Sequence, residues 1–415
     1  MASPGSVLLV VENLPLPFDR RLWMEATTLR SAGWRVAAIC PRGIGGESHY
    51  ECVDGIHIYR HDLPSEGSDT GGYLREYAAA VRWQFRLAQL IRRRHGFDVV
   101  HICNPPDLLF LVAARYKLFR GVRVVFDQHD IMPELYDAKF GRRDVGYAAV
   151  VAAERLTYAI ADVVIATNDS YRRIALSRGR KRPEQVFVVR SAPDLARFHA
   201  LRPEPALKRG RRFLVGYVGV MGPQEGLDHL LHAIAMIVDR HGRRDITFRL
   251  IGDGPSRPSL LSMARDLGID GFVDFPGRIP DEALMRDLST CDLCVNPDPL
   301  NPFNDASSMN KILEYMALAR PVVQFDLTEG RRSAGEASAY ASPNDDGDLA
   351  TTIIRVLDDP ELRARMSREG MRRMTEELEW RHQAPRLIDA YEYVTRVRRR
   401  TRSVMESGHP PSMQE

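Results

Sequence analysis

Asn301 to Asp326 reads NPFNDASSMNKILEYMALARPVVQFD, and its reading decides the fold. Asn301 to Ser307 is Pro, Asn, Asp and Ser, which is loop chemistry. Ser307 or Ser308 is then the expected N-cap. From Met309 to Ala319 the apolar residues Ile312, Leu313, Met316 and Ala317 recur at helical spacing. Pro321 ends that helix, and Val322, Val323 and Phe325 form a buried strand. Asn310, Lys311 and Glu314 lie three and four apart and share part of one face. Backbone N–H groups at a helix start suit an anion such as phosphate. Lys311 adds a positive charge one turn in, and Glu314 adds an acceptor for two ribose hydroxyls. Phosphate and ribose grips on one helix suit a nucleotide-diphosphate ligand. The same spacing also serves a capped amphipathic helix with a solvated polar face, so the stretch alone leaves both readings open.

The strand–helix pattern extends in both directions. Val7 to Val11 reads as a strand, Arg20 to Ala32 as a helix stopped by Gly33, and Val36 to Cys40 as the next strand. That is the unit of a doubly wound parallel sheet. Strands follow at Ile56–Arg60, Val99–Ile102, Val122–Phe126, Val163–Ala166 and Val186–Val189. Helices stand between them, including a long amphipathic one over Tyr73–Arg94. No GxGxxG follows the first strand, so the dinucleotide fingerprint is absent. Ser191 to Arg212 is irregular, with prolines and basic residues, and reads as a linker. A second series begins at Phe213, with a Gly-rich turn from Gly219 to Gly226 after its first strand. Its further strands are Thr247–Ile251, Val273–Phe275 and Leu293–Asn296. Helices over Leu349–Leu357, Pro360–Glu377 and Trp380–Arg399 close the chain. The tail from Ser403 is poor in apolar residues and reads as disordered.

Composition bounds the function. The 415 residues are 44% hydrophobic and 27% charged, as in a globular protein of two or three domains. A net charge of +3 is too small to point to nucleic acid. The five cysteines are scattered, and the Cys291–Cys294 pair sits in an apolar, strand-like run, so neither a disulfide framework nor a metal site is expected. No stretch reaches the ~18 apolar residues of a spanning helix. The expected location is therefore the cytoplasm, or peripherally the inner face of the cell membrane. Arginines on the Tyr73–Arg94 helix, beside Trp83 and Phe85, would suit anionic lipid headgroups or simply a solvated surface.

In open parallel sheets ligands sit beyond the carboxyl ends of the strands. Asn13, Asn104 and His129 each fall just past a predicted strand, which makes them candidates for one crevice. His129, between Asp127 and Asp130, suits a hydrogen bond to a ligand hydroxyl or proton transfer.

Four segments carry a resemblance to the retaining glycosyltransferases of family 4, enzymes of the GT-B fold. They are FDRRLWMEATTLRSAGWRV from Phe18, FDQHDIMPE from Phe126, LIGDGP with the later VDFPGRIPDEAL, and SSMNKILEYMALARPVV from Ser307. The resemblance covers roughly residues 5 to 400. It implies an α/β protein with two Rossmann-like domains facing across a cleft and a C-terminal helix returning to the N-domain. The corresponding boundaries are 1–195 for the acceptor-side domain, 196–212 for the linker, 213–380 for the nucleotide-sugar domain, 381–402 for the closing helix and 403–415 for the tail. It also implies that the donor ribose meets Glu314. The diphosphate would meet Lys311, Gly219, Gly222, Ser308 and Asn310, and the base would lie near Arg278. The acceptor side would hold Asn13, Asp19 and Asn104, with His129, Lys311 and Glu314 as catalytic candidates.

The partners so implied are a nucleotide-sugar donor, UDP-linked by default, and a glycan, lipid-linked or small-molecule acceptor. No metal or other cofactor is expected. Two departures stand out. The family carries a glutamate eight residues before Glu314 that meets the donor sugar, where this chain has Ala306, so either Asp305 beside it takes that donor-binding role or the sugar is held otherwise. The family's Gly-rich turn supplies an Arg and a Lys, where this chain has Val220 or Met221 and Glu225. The neutralising cation is then Lys311, helped by Arg331 or Arg332. The same departures mark some bacterial surface-polysaccharide members. Rival readings are another GT-B enzyme, inverting or an epimerase, and a non-catalytic nucleotide-sugar-binding scaffold.

Overall fold

The computed structural model describes residues 4–43, 47–62 and 70–407, with side chains placed for all of these except 70–78 and 397–407. The chain divides into two compact units. The first takes Met1–Asp137, Gly141–Arg190 and the chain from Gln383 onward, and the second takes Ala138–Phe140 and Ser191–His382.

In the first unit the strands are β1 (Ser6–Val10), β2 (Arg35–Pro41), β3 (Tyr50–Val53), β4 (Ile56–His61), β5 (Val99–Cys103), β6 (Arg123–Gln128), β7 (Val163–Ala166) and β8 (Val186–Val188). Among the described residues they form one eight-stranded sheet in the order β3-β4-β2-β1-β5-β6-β7-β8. All neighbours pair in parallel except β3, which runs antiparallel to β4. β1 and β5 are buried along their whole length, as central strands covered on both faces must be. Helices α1 (Arg20–Ser31), α2 (Thr70–Arg94), α3 (Phe110–Arg120), α4 (Met132–Phe140), α5 (Val145–Ile160) and α6 (Asp169–Ser177) connect the strands. Right-handed crossovers place α3, α5 and α6 on one face, because strand order advances in one direction from β5 to β8. α3 packs against α2 and α5.

In the second unit β9 (Phe213–Val218), β10 (Ile246–Ile251), β11 (Val273–Gly277), β12 (Leu293–Asn296), β13 (Val322–Phe325) and β14 (Ser338–Ala341) form a fully parallel sheet in the order β11-β10-β9-β12-β13-β14. Its helices are α7 (Leu227–Asp239), α8 (Arg257–Asp266), α9 (Asp281–Thr290), α10 (Pro302–Ala306), α11 (Asn310–Ala317), α12 (Thr328–Ala334), α13 (Asp346–Asp358) and α14 (Pro360–Arg373). Leu230, Ile234, Phe248, Val295, Val323 and Ile353 are fully buried in its larger core. Cys291 and Cys294 are buried against Gly216 of β9 and belong to the packing. α15 (Trp380–Ser407) follows, and from Gln383 it belongs to the first unit, where Tyr391 packs edge-on against Trp34 with ring centroids 5.0 Å apart.

Several expectations are corrected. Asn301–Ser307 is not loop throughout: Asn301 accepts from Asn304 N, Pro302 takes the first helical position, and α10 forms. Ser307 closes that short helix, its Oγ donating to Phe303 O at 2.7 Å, so neither serine is the cap of the next helix. α11 starts at Asn310 behind Met309, with no side-chain cap. The polar edge strand β3, the small-residue strand β14 and helices α4 and α12 were not anticipated.

The supposed linker is packed structure: Ala192 and Phe198 are buried with the second unit's core, and Leu201 N donates to Ser289 Oγ. The division between units therefore falls at Arg190 and Ser191. The last helix continues through residues 403–407, where a disordered tail was expected, and 408–415 lie outside the described residues. The first residues of the amphipathic helix expected over Tyr73–Arg94, up to residue 78, also lie outside the described side chains.

Candidate active site

The parallel part of each sheet reverses its strand order between β1 and β5 in the first unit and between β9 and β12 in the second. Such switch points open crevices at the carboxyl ends of their strands. Each unit has a polar cluster there.

In the first unit the cluster is built on α1, β5, β6 and α15. Asp127, the fifth residue of β6, is fully buried. It takes two bonds from the Arg21 guanidinium, Nε at 3.0 Å and Nη2 at 2.6 Å. His129 Nε2 lies 2.5 Å from Asp127 Oδ2 and 3.2 Å from Arg21 Nε, and these two neighbours fix the ring. Arg21 also reaches Glu25 Oε1 at 3.1 Å and Val189 O at 2.9 Å. Behind them His101 Nδ1 meets the Tyr391 hydroxyl at 2.8 Å, with its Nε2 3.5 Å from Glu25.

The charges divide unequally. Burial opposes ionisation of Asp127, but Arg21 and His129 hold its carboxyl well below the usual range. Burial and the Asp127 charge push Glu25 well above it. Burial also lowers His101, which stays neutral. His101, Cys103 and Asp127 lie close enough to share a cation. Any such ion would have to displace the Arg21 guanidinium from Asp127.

Two of the other first-unit candidates hold parts of the fold in place. Asp19 caps α1, its Oδ1 accepting from Leu22 N at 3.0 Å. Asn104 is buried and ties the His129 loop: its Oδ1 accepts from His129 N at 2.8 Å, and its Nδ2 donates to Asp130 O and Asp107 Oδ1. Asn13 is exposed just beyond β1.

In the second unit the Gly-rich turn after β9 meets α11. Lys311 is buried to 8% exposure, over the Tyr217 ring. Its Nζ lies 2.7 Å from Glu225 Oε2 and 3.1 Å from Asp298 Oδ1. Burial works against the ammonium, but Asp298 and Glu225 hold it above the ordinary lysine value. Burial pushes Asp298 up to about 7, with Lys311 opposing. A Cβ on Gly219 would come 2.6 Å from the Tyr217 hydroxyl and 3.5 Å from Lys311 Cε, so the turn lies directly on this cluster. Gly252, at φ +136, is required because a Cβ there would strike Gly219 O at 1.9 Å. Asn304 Nδ2 donates to Gln224 O at 3.0 Å, tying α10 to the same turn, which also includes Gly222.

Asn310 is exposed and Glu314 half-buried on α11, and Ser308 is half-buried just before it. Asp305 spends both oxygens on Thr328, accepting from its N at 2.7 Å and its Oγ1 at 3.0 Å. Arg278 is exposed beyond the edge strand β11. Arg331 pairs with Asp326 at 2.6 Å and Arg332 with Glu329 at 2.6 Å, so both offered arginines are engaged within α12 and its approach. His101, Asp298 and Tyr391 are not among the site residues expected from the sequence, and Arg21 and Glu25 stand there only as part of the family-like segment from Phe18. The i,i+4 spacing of Arg21 and Glu25 was the one local signal.

Two parallel-sheet units of this topology, the second with a polar helix beyond its central strands, are the architecture of a GT-B glycosyltransferase. A family model described as "Glycosyl transferase 4-like domain" matches residues 19–191, and one described as "Glycosyl transferases group 1" matches residues 212–359. A mannosyltransferase from Mycolicibacterium hassiacum, "MMP alpha-(1->4)-mannosyltransferase", is 26% identical over 75% of this chain and 74% of its own. Sucrose-phosphate synthase from Thermosynechococcus elongatus superposes with a TM-score of 0.79 at 18% identity, over 94% of this chain and 99% of its own. HepE from Anabaena, solved with UDP and glucose, gives 0.69 at 17%, over 94% and 100%. The chain belongs to the family 4 glycosyltransferases of the GT-B fold.

Proposed function

We propose that the chain moves a hexosyl or N-acetylhexosaminyl group, with retention of configuration, from a UDP-sugar to a glycan, lipid-linked or small-molecule acceptor in polysaccharide or glycoconjugate biosynthesis. The observation that carries the reading is α11, a helix whose start has no side-chain cap, which bears Asn310 and Glu314 and meets the Gly219 turn through Lys311. Its N–H groups suit the diphosphate, and Glu314 suits the ribose. That HepE was solved with UDP supports the choice of base.

In this reading the departing β-phosphate gathers negative charge, and preorganised N–H donors at the α11 start stabilise it. The same phosphate takes the acceptor proton on the front face, so no carboxylate nucleophile and no metal is needed. His129, fixed by Asp127, positions a sugar hydroxyl. The enzyme works in the cytoplasm, peripherally at the membrane.

The test is thermal stability with UDP-, GDP-, ADP- and dTDP-sugars, for wild type and Glu314→Ala. A ligand at about 100 times its Kd stabilises by about 2.7 kcal/mol. A response to UDP-sugars, lost in Glu314→Ala, supports the reading, and the product anomer by NMR then decides retention. The pairing of Lys311 with two carboxylates favours one rival, a non-catalytic scaffold, because no cation is then left over for the diphosphate at that position. Binding without turnover supports that rival.

A further inference from the structure

Exposed helix faces are normally polar. Two neighbouring helices of the first unit depart from this. On α3 the outward stripe is Leu111, Arg115, Leu118 and Phe119, with Leu118 exposed to 73% and Phe119 to 76%. On α5 it runs Val145, Ala149, Ala152, Leu156, with Val145 exposed to 86% and Leu156 to 49%. α5 is tied to α3 and to the turn that leads into it: Lys117 Nζ donates to Ile160 O at 2.6 Å, and Thr157 Oγ1 to Asp107 O at 3.0 Å. Trp83, exposed to 40% and carrying Arg86 over its ring, stands on α2, which also packs against α3. Exposed apolar side chains grouped on neighbouring packed helices mark an interaction site.

The charges around it have one sign. Arg115, Arg120 and Arg155 are exposed on the two helices. α3 contains no acidic residue, and the single acid of α5, Glu154, is buried at 1% exposure against Arg178. The acids at the margin are already paired, Asp162 with Lys117 and Arg123, and Asp144 with Arg142. A second copy of this chain would set these arginines against their own images, since a two-fold contact uses the same patch twice. An anionic bilayer surface meets both features, taking the apolar side chains below the headgroups and the arginines among the phosphates.

We propose that the outward faces of α3 and α5 are the surface by which this enzyme docks on an anionic membrane. The inference rests on the peripheral placement proposed above and is independent of the donor, since vesicle binding is measured without nucleotide. The full chain is sedimented with vesicles of phosphatidylcholine alone or mixed with phosphatidylglycerol. Wild type is expected to bind the mixed vesicles, more weakly as salt rises. Leu118→Ser/Phe119→Ser should weaken that binding by about tenfold, and Arg115→Glu/Arg120→Glu should abolish the preference for phosphatidylglycerol. All four side chains are exposed, so melting temperature and UDP-sugar binding should stay at wild-type values in both variants. Binding by wild type that neither variant weakens would overturn this surface while leaving peripheral placement intact. No binding by wild type would overturn both. A wild-type dimer in sedimentation velocity that Leu118→Ser/Phe119→Ser converts to monomer, without vesicle binding, would assign the face to self-association instead.

Discussion

The Lys311 ammonium lies 2.7 Å from the Glu225 carboxylate, closing the Gly-rich turn onto α11. In this chain an acid stands on the turn and the cation stands on the helix, so the cation that could meet a diphosphate is held by a competitor. Glu225→Gln removes one competing charge while keeping a hydrogen-bond acceptor for Lys311. It is expected to tighten UDP-sugar binding severalfold, read by titration calorimetry. Lys311→Met should instead cost about 3–5 kcal/mol of stability, because it leaves Asp298 buried without its partner. If Glu225→Gln weakens binding, the carboxylate itself serves the donor and the competition argument fails.

His129→Ala is expected to cut transfer by roughly 100-fold or more and to leave UDP binding nearly unchanged, because the ring stands in the first unit while Glu314 and Lys311 stand in the second. Equal loss of transfer and binding would exclude this role. Asp127→Asn should behave differently. It breaks a fully buried bidentate pair with Arg21 as well as the His129 bond, and a broken buried pair costs about 3–5 kcal/mol. A fall in melting temperature for Asp127→Asn that His129→Ala lacks separates the structural share of this network from the catalytic one.

Tyr391→Phe removes one hydroxyl from α15 and leaves the ring against Trp34. His101 Nδ1 then loses its partner at full burial, at a cost of about 1–3 kcal/mol. Urea unfolding should show a lower midpoint at unchanged slope. An unchanged midpoint would mean that His101 finds another partner.

The two sheets were legible because parallel strands buried on both faces are runs of Val, Ile and Leu, as in β1, β9 and β13. β3 was missed for the converse reason: Tyr50–Val53 is a polar edge strand, exposed along most of its length. The helix α11 could be read from its apolar spacing, but its start could not. Pro302 and Asn301 nucleate a separate turn that consumes the serines, and that competition is settled by packing of Phe303 and Asn304. Residue chemistry pointed to His129 and Lys311, yet gave neither partner. Arg21 and Asp127 are 106 positions apart, and Lys311 and Glu225 are 86 apart, so only the fold pairs them. Asp19 and Asn104 have the chemistry of ligand-binding residues, which is also the chemistry of caps and loop ties, and the structure uses Asp19 to cap α1 and Asn104 to tie the His129 loop.

Asp107 gives a pH dependence that can be measured without any ligand. Burial, then the charge of Glu154, pushes its carboxyl up to about 8. Its Oδ1 accepts from Asn104 at 3.0 Å, while its buried Oδ2 has no hydrogen-bond donor among the described residues, and the Arg178 charge opposes the shift without cancelling it. Because the folded-state value lies above that of the unfolded chain, the contribution is fully present below about pH 4. It declines as pH rises and is lost above about 8, by at most ~1.4 kcal/mol per pH unit. Asp107→Asn keeps the acceptor for Asn104 and cannot ionise. Relative to wild type, it should therefore gain stability steadily between pH 4 and 8 and hold a constant advantage above that, read by chemical unfolding at fixed pH values. Parallel pH profiles for the two proteins would show that Asp107 ionises in the fold as readily as in the unfolded chain, and that the Asn104 loop carrying His129 is not built on a neutral carboxyl.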